Sequence, residues 1–263
     1  MSTRHDKIGI KQVIRLEWMN KTLDMLLAGM NAEAIRAELK MYLADKRQSG
    51  GTGLRGEKTY VMAIGLLMQA WAEPDDVLTA MRDSALELAR SLTPPNRVPL
   101  HWAMISGAYP FWFNVARQTG RLLNLQDQVT QQQTVTRLKE QYGDRQTISR
   151  YARYVIRSFV AWGVLQDSKT KGCYTKANPI TISDYHLATL LLEGALHATP
   201  TGQSTLSMLL NMPALFPFQL PGLPGDLISR TNHRIDVINT AGFDDHLIKL
   251  KEQPRMFSGF IRH

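Results

Sequence analysis

Apolar residues recur every three or four positions through the first 110 residues, which is the period of amphipathic helices. This pattern predicts four helices, over residues 10–29, 32–46, 57–72 and 75–92. Asn31 is a suitable N-cap for the second helix, and Pro74 suits the first turn of the fourth. Prolines between residues 94 and 99 then interrupt the pattern. The sequence therefore predicts a helical N-terminal domain over residues 1–108.

A different order of elements follows the prolines. The pattern predicts helices over residues 111–125, 131–141 and 144–163, and then a β-hairpin over residues 164–175. A Tyr-Gly-Asp turn separates the second and third helices, and a polar link joins the first two. Helix, helix, turn, helix and hairpin are the order of a winged helix-turn-helix. We therefore predict a central winged helix-turn-helix domain over residues 109–180.

The remainder, residues 181–263, is predicted to be a small α+β region. Helices are expected over residues 184–197, with Ser183 as the N-cap, and over 204–211. Paired strands are expected at residues 234–239 and 246–250. A second, degenerate winged helix is the alternative, although the sequence shows no internal repeat. The predicted fold class is mainly α with small β elements.

Composition bounds the class of protein. The 263 residues are 44% hydrophobic and 21% charged, which is typical of a globular chain rather than a disordered one. Cys173 is the only cysteine, so no intramolecular disulfide is expected. The first residues lack the apolar segment of a secretion signal, and the apolar run at 61–72 is shorter than the roughly 20 residues of a membrane span. We expect a cytoplasmic protein with no membrane partner.

Positive charge is concentrated in one part of the chain. Residues 111–180 contain eleven Lys or Arg and four Asp or Glu residues, and thus hold +7 of the net charge of +8. A local excess of this kind is expected where a domain contacts a polyanion.

The third predicted helix of the central domain, residues 144–163, has two different faces. Ile148, Ala152, Val155 and Phe159 share the face expected to be buried. The candidate DNA-binding residues on the other face and at the hairpin tip are Arg145, Gln146, Thr147, Ser149, Arg150, Arg153, Tyr154, Arg157, Lys169 and Lys171. The first residues of the helix are of the types that reach base edges from a helix N-terminus, and the later arginines and the lysines are expected at phosphates.

The ordinary alternative is that this arginine face is only solvated. Three coincident features favour DNA: the order of the helices, the basic hairpin tip and the localised charge. No acidic residue lies between Arg145 and Leu165, so ion pairs within the helix do not explain the arginines.

Other chemical signals are weak. Residues 51–56 match G-x-G-x-x-G, but a charged helix precedes them where a dinucleotide site needs a strand. The seven histidines have no metal-ligand spacing, and the Asp244, Asp245 and His246 group fits a turn between strands better than a metal or catalytic cluster. The aromatic run at residues 109–113 is expected in the core. We predict no catalytic residue, metal, cofactor or small-molecule substrate, and therefore no enzyme.

The layout resembles a known family. The segments MLLAGM, AIRAEL and DKR in the helical part, then YPFWFNVARQTGRLLNL and the predicted winged helix, are similar in layout to BrxA. BrxA is the small DNA-binding component of bacterial BREX (bacteriophage-exclusion) defence systems. The resemblance spans residues 10–180 and implies double-stranded DNA binding without catalysis. It also implies protein partners in a multi-protein defence complex, and it assigns no individual residue a role.

Two other functions stay open at this point. A winged helix also serves as a protein–protein adaptor that docks on an acidic partner, because fold does not determine function. A transcriptional regulator is the third possibility, and it would bind one palindromic site as a dimer.

Overall fold

The computed structural model describes residues 4–46, 56–239 and 245–251. Its N-terminal helices are α1 (Leu16–Leu27), α2 (Ala32–Ala44), α3 (Glu57–Leu67) and α4 (Thr79–Ala89). All four predicted helices are confirmed, and Asn31 caps α2 by accepting a hydrogen bond from the amide of Ala34. The first helix begins six residues later than expected, and the chain from Ile10 to Arg15 is not helical. One π-helical turn, Met68–Ala72, follows α3.

Helix α5 (Val98–Ala108) was not predicted. Pro99 lies in its first turn, where a proline is tolerated because no intrahelical donor is lost there. Every residue of α5 is buried, so the helix has no polar face that would produce an amphipathic pattern. It packs closely against α9 (Tyr185–Ala198), where a Cβ on Gly194 would lie 2.6 Å from the carbonyl oxygen of Ala103.

The central elements are α6 (Pro110–Leu123), β1 (Gln128–Thr130), α7 (Gln131–Tyr142), α8 (Gln146–Ala161), β2 (Leu165–Asp167) and β3 (Cys173–Lys176). The three strands form an antiparallel sheet in the order β1-β3-β2, with Val129 opposite Tyr174 and Gln166 opposite Thr175. The predicted helices and hairpin of this region are confirmed. Strand β1 lies where the sequence indicated only a polar link.

The C-terminal elements after β4 (Ile180–Thr181) and α9 are β5 (Gln203–Thr205), α10 (Leu206–Leu210), β6 (Phe218–Gln219), α11 (Gly225–Thr231), β7 (Ile235–Asn239) and β8 (His246–Leu250). Strands β7 and β8 pair in antiparallel fashion, as predicted, and β5 lies on the other side of β8. Ser183 is not the cap of α9. Asp184 occupies that position, and its carboxylate accepts a hydrogen bond from the amide of Leu187.

The central and C-terminal elements repeat one order of elements. In each unit a helix is followed by a strand, two helices and two strands, and in each three-stranded sheet the first strand pairs with the last. The C-terminal unit differs by the two-residue strand β6 between α10 and α11, which pairs with β4 in a separate sheet. The junction between the first strand and the next helix is also alike in the two units. Thr130 and Thr205 each end that strand and cap the helix with a side-chain hydrogen bond. The two units therefore share an order of elements, although the sequence shows no internal repeat. The sequence does not show it because α10 has 5 residues and α11 has 7, against 12 in α7 and 16 in α8.

The core is one connected cluster of buried side chains that draws on all parts of the chain. At its centre the ring of Trp102 lies 5.6 Å from that of Trp112 and 5.1 Å from that of Phe159. The aromatic run at residues 109–113 is buried, as predicted. The predicted fold class, mainly α with small β elements, is confirmed. The division into domains at residues 1–108, 109–180 and 181–263 stays a prediction.

No helix in residues 4–46, 56–239 and 245–251 is long and apolar enough to cross a membrane.

Candidate nucleic-acid interface

Helix α8 is held by its apolar face. Ile148, Ala152, Val155 and Phe159 are buried, as the spacing predicted. The ring of Phe159 contacts those of Trp102 and Trp112, at centroid distances of 5.1 and 4.9 Å. Gly163, with φ of +73°, ends the helical segment in a backbone conformation that glycine adopts most readily. Because one face is anchored in the core, the opposite face of α8 has a defined orientation.

The structure brings the predicted site residues of α8 to that opposite face. Side chains of Arg145, Gln146, Arg150 and Arg153 are exposed. Thr147, Ser149, Tyr154 and Arg157 are half-buried beside them.

Two grooves run along this face. The first, with a volume of about 530 Å³, lies between α7 and α8 and is lined by Gln131, Lys139, Asp144, Gln146, Ser149, Arg150 and Arg153. The second, of about 690 Å³, lies between α8 and the β2–β3 hairpin and is lined on the α8 side by Arg153 and Arg157. Arg153 borders both grooves. Arg153 therefore lies where the two grooves adjoin.

The predicted cations of this face are mostly unpaired. Arg145, Arg150, Arg153, Lys169 and Lys171 make no ion pair with any described residue. Two of them lie over neighbouring rings instead: the Arg150 guanidinium is 5.2 Å from the ring centroid of Tyr151, and that of Arg153 is 5.8 Å from that of Tyr154. An arginine held against an aromatic ring keeps its N–H donors available at the ring's edge.

Arg157 differs from the other arginines of α8. Its Nη1 donates to Oδ1 of Asp167 on strand β2, forming an ion pair. Partial burial lowers the pKa of Arg157, but the hydrogen bond and the charge of Asp167 outweigh that effect and raise it overall. Asp167 lies two residues beyond Leu165, outside the helix, so the lack of acidic residues between Arg145 and Leu165 does not exclude this partner. The pair connects the end of α8 to the hairpin.

The hairpin tip presents the two predicted lysines. Residues 168–172 connect β2 and β3, and Lys169 and Lys171 are exposed there. The amide of Thr170 donates to the Ser168 hydroxyl, and Gly172 has φ of +78°, so the tip is a structured turn. The sheet holds it beside the second groove.

Sequence reasoning missed Gln131 and Lys139 of α7, which line the first groove. A signal for Gln131 exists in the sequence. Thr130 and Gln133 form a capping box, with each side chain bonded to the other residue's amide, and this places Gln131 at the first helical position. Lys139 is not a free cation, because its Nζ lies 2.6 Å from Oδ1 of Asp144.

The other candidate chemistry forms no site in the described chain. No group of three or more His, Cys, Asp or Glu residues is placed as metal ligands in residues 4–46, 56–239 and 245–251. Asp245 accepts hydrogen bonds from the amide and hydroxyl of Ser207, and these contacts lower its pKa. Asp244 and residues 51–55 of the G-x-G-x-x-G segment lie outside the described residues.

The chain was also compared with known proteins. No protein-family model, no curated protein and no solved structure matches it.

Proposed function

We propose that this chain is a non-enzymatic protein that binds duplex DNA through a winged helix-turn-helix formed by α6, β1, α7, α8, β2 and β3. The order of these elements, and a sheet in which the first strand pairs with the last, support that assignment. In this arrangement α8 is the recognition helix and the β2–β3 hairpin is the wing.

The unpaired cations of the α8 face are the observation that carries the proposal. Arg150 and Arg153 lie on the exposed face of α8, and Arg145 is exposed just before its first turn. None of the three makes an ion pair with a described acidic residue, so their like charges are not neutralised in the free protein. Phosphate groups would neutralise these charges and accept their hydrogen bonds. A merely solvated helix face needs no such concentration of unpaired charge.

The geometry suggests a different role for each part of the interface. The first turns of α8, with Arg145, Gln146 and Ser149, enter the major groove and contact base edges. Arg153 and the wing lysines contact phosphates. Arg157 positions the wing through its ion pair with Asp167, and it contributes less direct affinity than the other arginines.

The C-terminal unit of α9, β5, α10, α11, β7 and β8 is proposed as a second, degenerate winged helix that does not bind DNA. Residues 181–239 and 245–251 contain four Lys or Arg against five Asp or Glu, so this unit lacks the positive charge of the first. Arg230 of α11 is paired with Asp226 one turn earlier. A role in contacting a protein partner fits this unit better than a role in binding DNA.

Gel shift of the full-length chain with two duplexes of unrelated sequence tests the proposal. We expect both duplexes to shift at physiological salt, because phosphate contacts do not depend on sequence. A shift with only one of the two duplexes would show sequence-specific binding and would favour the transcriptional regulator. If neither duplex shifts, the DNA proposal fails and the protein–protein adaptor replaces it.

A further inference from the structure

The non-helical segment before α1 is hydrogen-bonded to residues at the end of α8. The amide of Ile14 donates to the Ser158 hydroxyl over 2.9 Å, and the indole Nε1 of Trp162 donates to the carbonyl of Ile14 over 3.0 Å. Both bonds are buried, and so is the Ile14 side chain. Both backbone polar groups of Ile14 are therefore held by residues at the end of α8, and the position of the next residue, Arg15, is defined relative to that helix.

Arg15 borders the same face as the DNA-binding arginines. With Val13 it forms one wall of a groove of about 490 Å³, whose other wall is formed by Arg153, Tyr154, Arg157, Val160 and Ala161 of α8. Arg15 is half-buried, its guanidinium lies 6.0 Å from the ring centroid of Trp18, and it makes no ion pair with any described residue. The backbone contacts thus place a cation from the start of the chain beside the last turns of α8.

We propose that Arg15 is a further contact to the DNA backbone, by which the N-terminal helical part extends the winged-helix interface. This inference rests on the proposed function. A helix of 16 residues is about 24 Å long, whereas the major groove is about 12 Å wide. When the first turns of α8 reach the base edges, its last turns lie at the level of the sugar-phosphate backbone. Arg15 lies beside those last turns and is in position to bind a phosphate.

Arg15 is distant from the basic region in the sequence but close to it in the fold. Along the sequence, the basic region is residues 111–180, and Arg15 precedes it by nearly a hundred residues. In the fold it lines one groove together with Arg153, which also borders the two grooves of the candidate interface. The three grooves share Arg153, so a duplex placed over Arg153 passes close to Arg15.

The test is the salt dependence of duplex binding by the full-length chain and three variants, measured by fluorescence anisotropy with one labelled duplex of about 20 base pairs. Arg15→Ala is expected to reduce the slope of log K against log[salt] by about 1 and the affinity at 0.15 M salt about five-fold, as for the loss of one phosphate contact. Arg15→Lys keeps the charge and is expected to keep the slope.

Lys11→Ala is the matched control. Lys11 is an exposed cation of the same segment, but it lines a different groove, with Lys7 and Gly9. We expect it to leave the slope unchanged. An unchanged slope in Arg15→Ala, or an equal change in Lys11→Ala, would overturn the role of Arg15 while duplex binding by α8 still stood. Absence of duplex binding by the wild-type chain would overturn the proposed function and this inference together.

Discussion

Replacing Arg150 and Arg153 together by alanine is expected to lower duplex affinity at least about 30-fold. Each side chain lies on the exposed face of α8 without an ion pair, and a base or phosphate contact of this type contributes about 1–3 kcal/mol. Neither side chain enters the core, and alanine is a good helix former, so the variant is expected to unfold at the wild-type temperature. Anisotropy titration and thermal denaturation measure the two quantities.

The control for this variant removes the same charge from another surface. Arg36 and Arg90 lie on or next to the N-terminal helices, where each makes an exposed ion pair with a glutamate. Replacing both by alanine also lowers the net charge by two, and we expect little change in duplex binding. If Arg150→Ala with Arg153→Ala binds as well as this control, α8 is not the recognition helix.

Glu193→Ala is expected to have the largest effect on stability, a loss of about 3–5 kcal/mol in the free energy of unfolding. Glu193 of α9 is fully buried, and its two carboxylate oxygens accept hydrogen bonds from Nε and Nη2 of Arg234, each at 2.7 Å. The side chain of Asn232 donates a third bond. Arg234 also donates to the Ser84 hydroxyl of α4, so the network joins α4 to the C-terminal unit. Removing the carboxylate leaves the Arg234 guanidinium partly buried without its counter-charge.

Denaturant titration of Glu193→Ala measures this loss, and Glu87→Ala is its control. Glu87 pairs with Arg90 at the surface, where such a pair contributes little, so its removal should cost less than about 1 kcal/mol. Equal losses in both variants would show that the buried network does not stabilise the fold.

The same network predicts a loss of stability in acid. Burial alone raises the pKa of Glu193, but the hydrogen bonds and charge of Arg234 outweigh it and hold the pKa below its usual 4.5. A carboxyl group with a lowered folded-state pKa stabilises the protein fully above pH 4.5, and this contribution fades as the pH falls towards the lower value. The stability difference between wild type and Glu193→Ala should therefore shrink in acid.

The amphipathic elements could be predicted from the sequence because their patterns reflect burial on one side. The apolar spacing of Ile148, Ala152, Val155 and Phe159 identified the buried face of α8 and thereby its exposed arginines. The polar, glycine-containing tip of the hairpin placed Lys169 and Lys171.

The rest depended on packing that no local pattern records. Helix α5 is buried on all sides, so it has no polar face that an amphipathic pattern would reveal. The prolines near it predict a break in helical structure, but in the fold they lie just before the helix and in its first turn. The Arg157–Asp167 ion pair arises because strand β2 turns back along α8. Arg15 lies beside α8 because its neighbour Ile14 is hydrogen-bonded to Ser158 and Trp162, which are 144 and 148 residues away in the sequence. Contacts at such separations are decided by the tertiary fold.

A salt titration of duplex binding by the full-length chain tests the central claim most directly. If about five to seven cations of the α8 face and the wing neutralise phosphates, log K should fall with log[salt] with a slope of about −4 to −6. Duplex binding with that slope is the result we predict, and an affinity that does not change with salt would contradict it.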